Sequence, residues 1–305
     1  MGGVTPKSGT VIVLGSLNLD VLLRVPHLPR AGETMHSRGL DFVPGGKGAN
    51  QAAACSALGT RTRMIGAVGA DDGGTLLRAA LRERGVEVSG VRTIPDSASG
   101  QAYIHVAPDG ENTITLHGGA NQALGEAELG ALDAALAGSR VLLLQLEVPL
   151  QVNLQAAQRA RAAGVTVILD PAPAVPELPR EFLACVDVLT PNEHEAQTLT
   201  GEADPLAGAR ALRRLGVPAV IVKRGSQSTL LLQGDRVQEF PVSAVQVVST
   251  VAAGDTFNGA LASALAAGQS LLEATAFAVQ AASLRVSRPP GYGHLPTGAE
   301  VGGSC

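Results

Sequence analysis

Asp255 lies in the run Ala252-Ala253-Gly254-Asp255-Thr256-Phe257-Asn258-Gly259, where small residues give way to a helical pattern. Phe257, Ala260, Leu261, Ala264 and Leu265 recur at helical spacing and predict an amphipathic helix over 256–267. Ahead of it, the amides of Ala253 and Gly254 are unobstructed by large side chains, and the helix dipole adds positive potential, so an anion can be held there. An Asp at such a junction is commonly a helix cap worth about 1 kcal/mol. Beside an anion hole it can also take the proton of a hydroxyl while a phosphoryl group moves onto that hydroxyl.

Further groups could serve the same chemistry. Gly45-Gly46-Lys47-Gly48-Ala49-Asn50-Gln51 runs into a helical stretch that Gly59 ends. Its glycines let backbone pass close to a ligand and Lys47 and Asn50 supply polar groups, although an ordinary strand-to-helix turn reads the same way. Asn18 and Asp20 follow an apolar run, and extended backbone puts both on one face. An amide beside a carboxylate suits sugar hydroxyls, and Glu147 can join them; surface placement is the plainer reading. Asn192 and Glu195 in Pro191-Asn192-Glu193-His194-Glu195 can hold hydrated Mg²⁺ beside phosphates or simply cap a helix. His194 has no second His at ligand spacing. Lys223-Arg224-Gly225-Ser226-Gln227-Ser228 is a polar turn able to reach nucleotide phosphates.

The elements that must position these residues alternate along the chain. Apolar runs at 11–14, 63–68, 141–146, 165–169, 186–189, 219–222 and 229–232 read as buried strands. Helical patterns at 73–84, 150–163 and 205–215 lie between them, each followed by glycine (Gly85, Gly164, Gly216). The fold class expected is α/β: a mostly parallel central sheet with helices on both faces. Two regions break the rhythm, with Pro26, Pro29 and Gly32 in the first and the turn Pro108-Asp109-Gly110 in the second. They predict a small antiparallel β lid from about 17–45 and 98–118, inserted in a single domain covering 1–305. So small a sheet exposes an apolar face that must cover a ligand or a second copy of itself.

Composition narrows the function. A hydrophobic fraction of 45% supplies a sizeable core, while a net charge of −4 argues against a nucleic-acid binder. With two Tyr, five Phe and no Trp there is no platform for stacking bases. Cys55, Cys185 and Cys305 show no paired spacing, Met1-Gly2 is not followed by a myristoylation pattern because Pro6 stands at the Ser/Thr position, and no apolar run approaches a membrane span. A soluble cytoplasmic protein is expected. Neither a Walker A loop nor a GxGxxG fingerprint is present, which disfavours the common P-loop and dinucleotide-oxidoreductase readings.

Taken together, the segments resemble the PfkB carbohydrate-kinase family over essentially the whole chain, from Val11 to about Pro296. Gly45–Gln51 is similar to the family's first signature and Ala252–Gly259 to its second. Asn18-x-Asp20, Gly110-Glu111-Asn112-Thr113-Ile114, Gly119-Ala120-Asn121 and Gln145-Leu146-Glu147 resemble the members that act on ribose. The resemblance implies ATP-dependent phosphorylation of the D-ribose 5-hydroxyl. Asn18, Asp20, Gly46, Lys47, Asn50 and Glu147 would bind the sugar, with Asp255 as base and Ala253 and Gly254 beside it. Ala102, Ile104 and Ile114 would line the lid's underside. Asn192, Lys223, Gly225, Ser226 and Gly254 would face the nucleotide, with Glu195 holding Mg²⁺ through water. A monovalent cation, K⁺, is implied near Ser249, Val251, Arg288 and Gly291, although relatives usually carry Asp where Ser249 stands. A homodimer through the lid is implied too. Another sugar or nucleoside as substrate, and a non-catalytic sensor that kept the fold, stay open.

Overall fold

The computed structural model describes residues 9–302, so Met1, Gly2, Pro6 and Cys305 lie outside it. β1 (Thr10–Leu14), β2 (Asn18–Arg24) and β3 (Gly39–Gly45) lead into α1 (Lys47–Ala57). Next come β4 (Thr62–Gly69), α2 (Asp72–Glu83), β5 (Glu87–Ile94), and the hairpin β6 (Gly100–Val106) and β7 (Asn112–His117). Then follow α3 (Glu126–Leu136), β8 (Ser139–Gln145), α4 (Leu150–Ala162), β9 (Thr166–Asp170), α5 (Arg180–Leu183), β10 (Val188–Leu189) and α6 (Glu193–Thr200). The chain finishes with α7 (Pro205–Arg214), β11 (Ala219–Val222), β12 (Thr229–Gln233), β13 (Arg236–Phe240), α8 (Ala253–Ala266), α9 (Leu271–Val286) and α10 (Gly298–Gly302).

The large sheet has the order β13-β12-β11-β10-β9-β8-β1-β4-β5. Every neighbouring pair from β11 to β5 is parallel, and β12 and β13 extend one edge antiparallel. Strand alternation builds a core on each face. Val11 and Val13 pack with Ala52 of α1, Phe257 of α8 and Ala278 of α9, whereas Ile12 and Leu14 pack with Leu132 of α3 and Ala156 of α4. These four apolar side chains of β1 are fully buried, each contributing about 1.5–3 kcal/mol. This two-sided burial is why the parallel strands read as unbroken apolar runs.

The second sheet has the order β3-β2-β6-β7. β2–β3 and β6–β7 pair antiparallel, and the two pairs meet through a parallel β2–β6 contact. Register puts Asp20 opposite Ala102, Ala102 opposite Leu116, and Ile104 opposite Ile114, so these residues share one face.

Some boundaries differ from the sequence reading. The helix expected over 256–267 begins at Ala253, which makes Ala253, Gly254 and Asp255 its first turn rather than its approach. The expected strand 186–189 keeps only Val188 and Leu189, because the Val186 amide is taken by Leu183 in the turn out of α5. β5 and β13 went unread because they are polar, largely exposed edge strands. Among the described residues, no helix is long and apolar enough to cross a membrane.

Candidate active site

Close packing of α1 against α8 assembles the centre. A Cβ on Gly259 would lie 2.6 Å from Ala54 Cβ and 3.0 Å from the Gln51 carbonyl oxygen, so glycine alone permits this approach. It brings Asn50 and Gln51 of α1 to Asp255 of α8. Asn50 Nδ2 donates to Asp255 Oδ2 at 2.9 Å, and Gln51 Nε2 donates to Oδ1 at 3.3 Å. Asp255 is buried, with 7% of its surface exposed. Its helix is entered through Ala252, at φ 58° and ψ 19°, the one positive-φ residue other than glycine among those described. A left-handed alanine costs about 1–2 kcal/mol and is retained where surrounding structure demands it. Here it turns the chain so that the first amides of α8 face the site.

On the side of the second sheet, Glu147 Oε2 accepts from Ser16 Oγ at 2.5 Å, Asn18 Nδ2 at 3.2 Å and the Lys47 amide at 3.3 Å. Asn18 is fixed in turn by Asn121, whose Nδ2 donates to Asn18 Oδ1 at 2.7 Å and to the Leu17 carbonyl at 3.1 Å. Gly46, the N-cap of α1, has φ 90°, and a Cβ there would stand 2.6 Å from the Asn18 amide nitrogen. Asp20 faces this cluster. Burial, then the carboxylates of Glu147 and Asp255, push its carboxyl from 3.8 up to about 7.

On the other side lies a cavity of about 870 Å³. Lys47, Asp170, Asn192, Glu195, Lys223, Gly225, Ser226, Gly254 and Asp255 line its polar part, and Val242, Val245, Val279 and Val286 its apolar wall. Lys223 Nζ is 2.8 Å from Asp170 Oδ1, and Gln51 Nε2 donates to Asp170 Oδ2 at 3.1 Å, so one amide bridges Asp170 and Asp255. Asn192 and Glu195 form a capping box: Glu195 N donates to Asn192 Oδ1 at 2.8 Å and Asn192 N to Glu195 Oε2 at 2.7 Å. The capping reading thus holds, and both side chains still reach the cavity.

Charge dominates the centre. Burial raises the Asp255 carboxyl, Lys47 opposes that rise, and Asp170 adds to it. Glu195 is likewise raised by burial and opposed by Lys223. Burial works against the Lys47 ammonium, but Asp255, Asp170, Glu147 and Glu195 outweigh it and hold the group above the usual lysine range. A permanently charged lysine beside a buried carboxylate and helix amides suits an anion such as a transferring phosphoryl group.

Ala102 is buried and Ile104 half-buried on the face they share with Asp20, while Ile114 is 57% exposed. Ser249 Oγ accepts from the Val251 amide at 3.3 Å, and Val251 is largely exposed. The Arg288 guanidinium turns away to Glu300 at 2.7 Å, and Gly291 has φ 103°. Ser16, Gln51, Asn121 and Asp170 had been given no role from sequence. The signal for Asp170 was a carboxylate closing a buried parallel strand, where α/β sheets present ligand groups.

Known proteins resemble this chain along nearly its whole length. The family model described as pfkB family carbohydrate kinase matches residues 8–297. Ribokinase of Haemophilus influenzae is 36% identical over 297 residues, covering 96% of this chain and 97% of the relative. Ribokinase of Schizosaccharomyces pombe is 37% identical over 310 residues, with 96% and 97% covered. The structure of Arabidopsis thaliana ribokinase complexed with ribose and ATP superposes with a TM-score of 0.89 at 34% identity, covering 96% of this chain and 97% of that one. A centre built to transfer a phosphoryl group and a match over nearly the full length lead to one conclusion: the chain belongs to the pfkB family of carbohydrate kinases.

Proposed function

We propose that this protein transfers the γ-phosphoryl group of ATP to the 5-hydroxyl of D-ribose, giving D-ribose 5-phosphate and ADP. The observation that carries the proposal is the position of Asp255. This buried carboxylate sits on the first turn of α8, between the Asn18–Asp20–Glu147 cluster and the cavity of Lys223 and Gly254. Ribokinases similar over the full length support ribose as the acceptor.

Asn18, Asp20, Glu147 and Lys47 bind the sugar, with Gly46 backbone and Asn50 beside them. Ala102, Ile104 and Ile114 cover its apolar side. Asn192, Lys223, Gly225 and Ser226 hold the nucleotide. Asp255 accepts the 5-hydroxyl proton as the sugar oxygen bonds to the γ-phosphorus and the bond to the β–γ bridging oxygen breaks, releasing ADP. The amides of Ala253, Gly254 and Asp255, with Lys47, meet the charge on the moving group. Glu195 and the neighbouring Asp170 are hard oxygen donors on the cavity wall, which fits a hydrated divalent ion. Held by Glu195 through water, Mg²⁺ would neutralise phosphate charge. In the lid, Ile114 and Leu116 are large apolar side chains left about half exposed, which supports pairing with the lid of a second copy.

ADP release from Mg-ATP measured across a panel of pentoses, hexoses and nucleosides tests the assignment. D-Ribose is expected to give the highest kcat/KM. Absence of turnover with ribose, or a nucleoside outrunning it, would reject the substrate.

A further inference from the structure

Arg285 heads the fully buried side chains, at 1% exposure, and none of the ion pairs among the described residues includes it. A guanidinium stays charged at any pH a protein survives, so burying one without a carboxylate demands other compensation. Carbonyl oxygens supply part of it at Nη1, while Nε is buried without a hydrogen-bond partner. Arg285 Nη1 donates to the carbonyls of Arg288 at 3.1 Å and Pro289 at 3.0 Å, just beyond the end of α9. Next to Arg285, the Val286 carbonyl accepts from the amides of Val248 at 2.8 Å and Ser249 at 3.1 Å. The chain then passes through Val251, whose amide donates to Ser249 Oγ, to the left-handed Ala252 that opens α8. The Arg285 guanidinium thus holds the segment after α9, and the backbone of the next residue holds the segment that shapes the amino terminus of α8.

An inorganic monovalent ion near Ser249, Val251, Arg288 and Gly291 would be held by free carbonyl oxygens, more tightly where an acid joins them. These residues fit such an ion poorly. Ser249 offers a neutral hydroxyl, and the Arg288 carbonyl already accepts from a guanidinium. A second cation would also be repelled by the first at close range.

We propose that the Arg285 guanidinium is a built-in cation that takes the place of an inorganic monovalent ion behind the α8 amino terminus, so that this protein works without added potassium, sodium or ammonium. Arg285 is a positioning residue: it touches neither substrate, and it acts through 286–289 and 248–252.

Two measurements on the unmodified chain test this. In about 100 mM choline chloride, KCl, NaCl or NH₄Cl at matched ionic strength, kcat/KM for ATP is expected to agree within about twofold. Activation by potassium of about tenfold or more would overturn the proposal. That assay rests on the kinase reading above, but the melting temperature does not. The melting temperature is expected to stay within about 1 °C across the four salts, whereas a potassium-specific rise of several degrees would show a bound ion and overturn it. Arg285→Ala separates positioning from mere packing. It is expected to lose about tenfold or more in kcat and to recover part of that with potassium or guanidinium ions but not choline. A folded Arg285→Ala that no cation rescues would reduce Arg285 to a packing residue and overturn the assignment. If that variant does not fold, the two salt series still decide.

Discussion

Asp20 offers a prediction in which stability and binding move in opposite directions. Its carboxyl is lifted from 3.8 to about 7 because it is half-buried and loses hydration, and because it faces Glu147 and Asp255. Folding therefore takes up a proton at Asp20, and the native state loses stability as pH rises from the unfolded value toward the folded one. The full displacement, from 3.8 to about 7, corresponds to about 4 kcal/mol at 1.36 kcal/mol per pH unit. Between pH 5 and pH 8 only the interval from 5 to about 7 counts, which leaves about 3 kcal/mol. Asp20→Asn keeps the shape and removes the titration. Its advantage in stability over the unmodified protein should grow by that amount across the interval. For a chain of 305 residues, an unfolding entropy of about 2.1 cal/mol/K per residue turns this into about 4 °C in Tm. The assay is a pair of Tm-versus-pH curves recorded without ligands. Parallel curves would refute the reasoning, because they would mean Asp20 titrates alike in the folded and unfolded chain. The same substitution should raise the KM for ribose about tenfold or more, since a charge-assisted hydrogen bond worth about 1.5–3 kcal/mol is lost.

Asp255→Asn should lower kcat by about 10²–10⁴ while calorimetry finds ribose affinity within about threefold, and near-normal kcat would reject the base role. Gly46→Ala places a Cβ 2.6 Å from the Asn18 amide at φ 90° and should cost about 2–5 kcal/mol in urea unfolding; a loss below about 1 kcal/mol would mean the α1 N-cap yields easily. Ile114→Glu on the lid, at a position 57% exposed, should convert a dimer to a monomer in light scattering with little change in Tm. A mass equal to one chain for the unmodified protein would remove lid pairing altogether.

The sequence carried most strongly what burial imposes locally. Parallel strands covered on both sides must be continuously apolar, so β1, β4, β8 and β11 are legible without any partner in view. β5 and β13 lie at the edges of the sheet with much of their surface in water, so their residues carry no such mark. The same contrast governs the site. Asp255 stood out because small residues precede it and a helical pattern follows. Asn121 did not, because its task is to hold Leu17 and Asn18, more than 100 residues earlier in the chain. Arg285, in the last turn of α9, carries no mark in the sequence, and only burial among carbonyls sets it apart.

What makes the centre reactive is equally non-local. Asp20 belongs to β2, Glu147 follows β8, Asp170 ends β9, and Glu195 and Asp255 lie in the first turns of α6 and α8. In its own segment each carboxylate has an ordinary explanation as a cap, a strand end or a surface acid, and Glu195 does serve as a cap. The parallel sheet directs the carboxyl ends of its strands to one edge, and β2 of the smaller sheet brings Asp20 to them. Five acids thus meet two lysines, Lys47 and Lys223, in partly dry surroundings. Such an arrangement is costly for the free protein, as the raised carboxyls of Asp20, Glu195 and Asp255 show. It is productive only when sugar hydroxyls and a cation-bearing nucleotide share the space. The strain that Asp20→Asn should relieve is therefore of the same origin, burial among like charges, as the rise of the carboxyl proposed as base, Asp255.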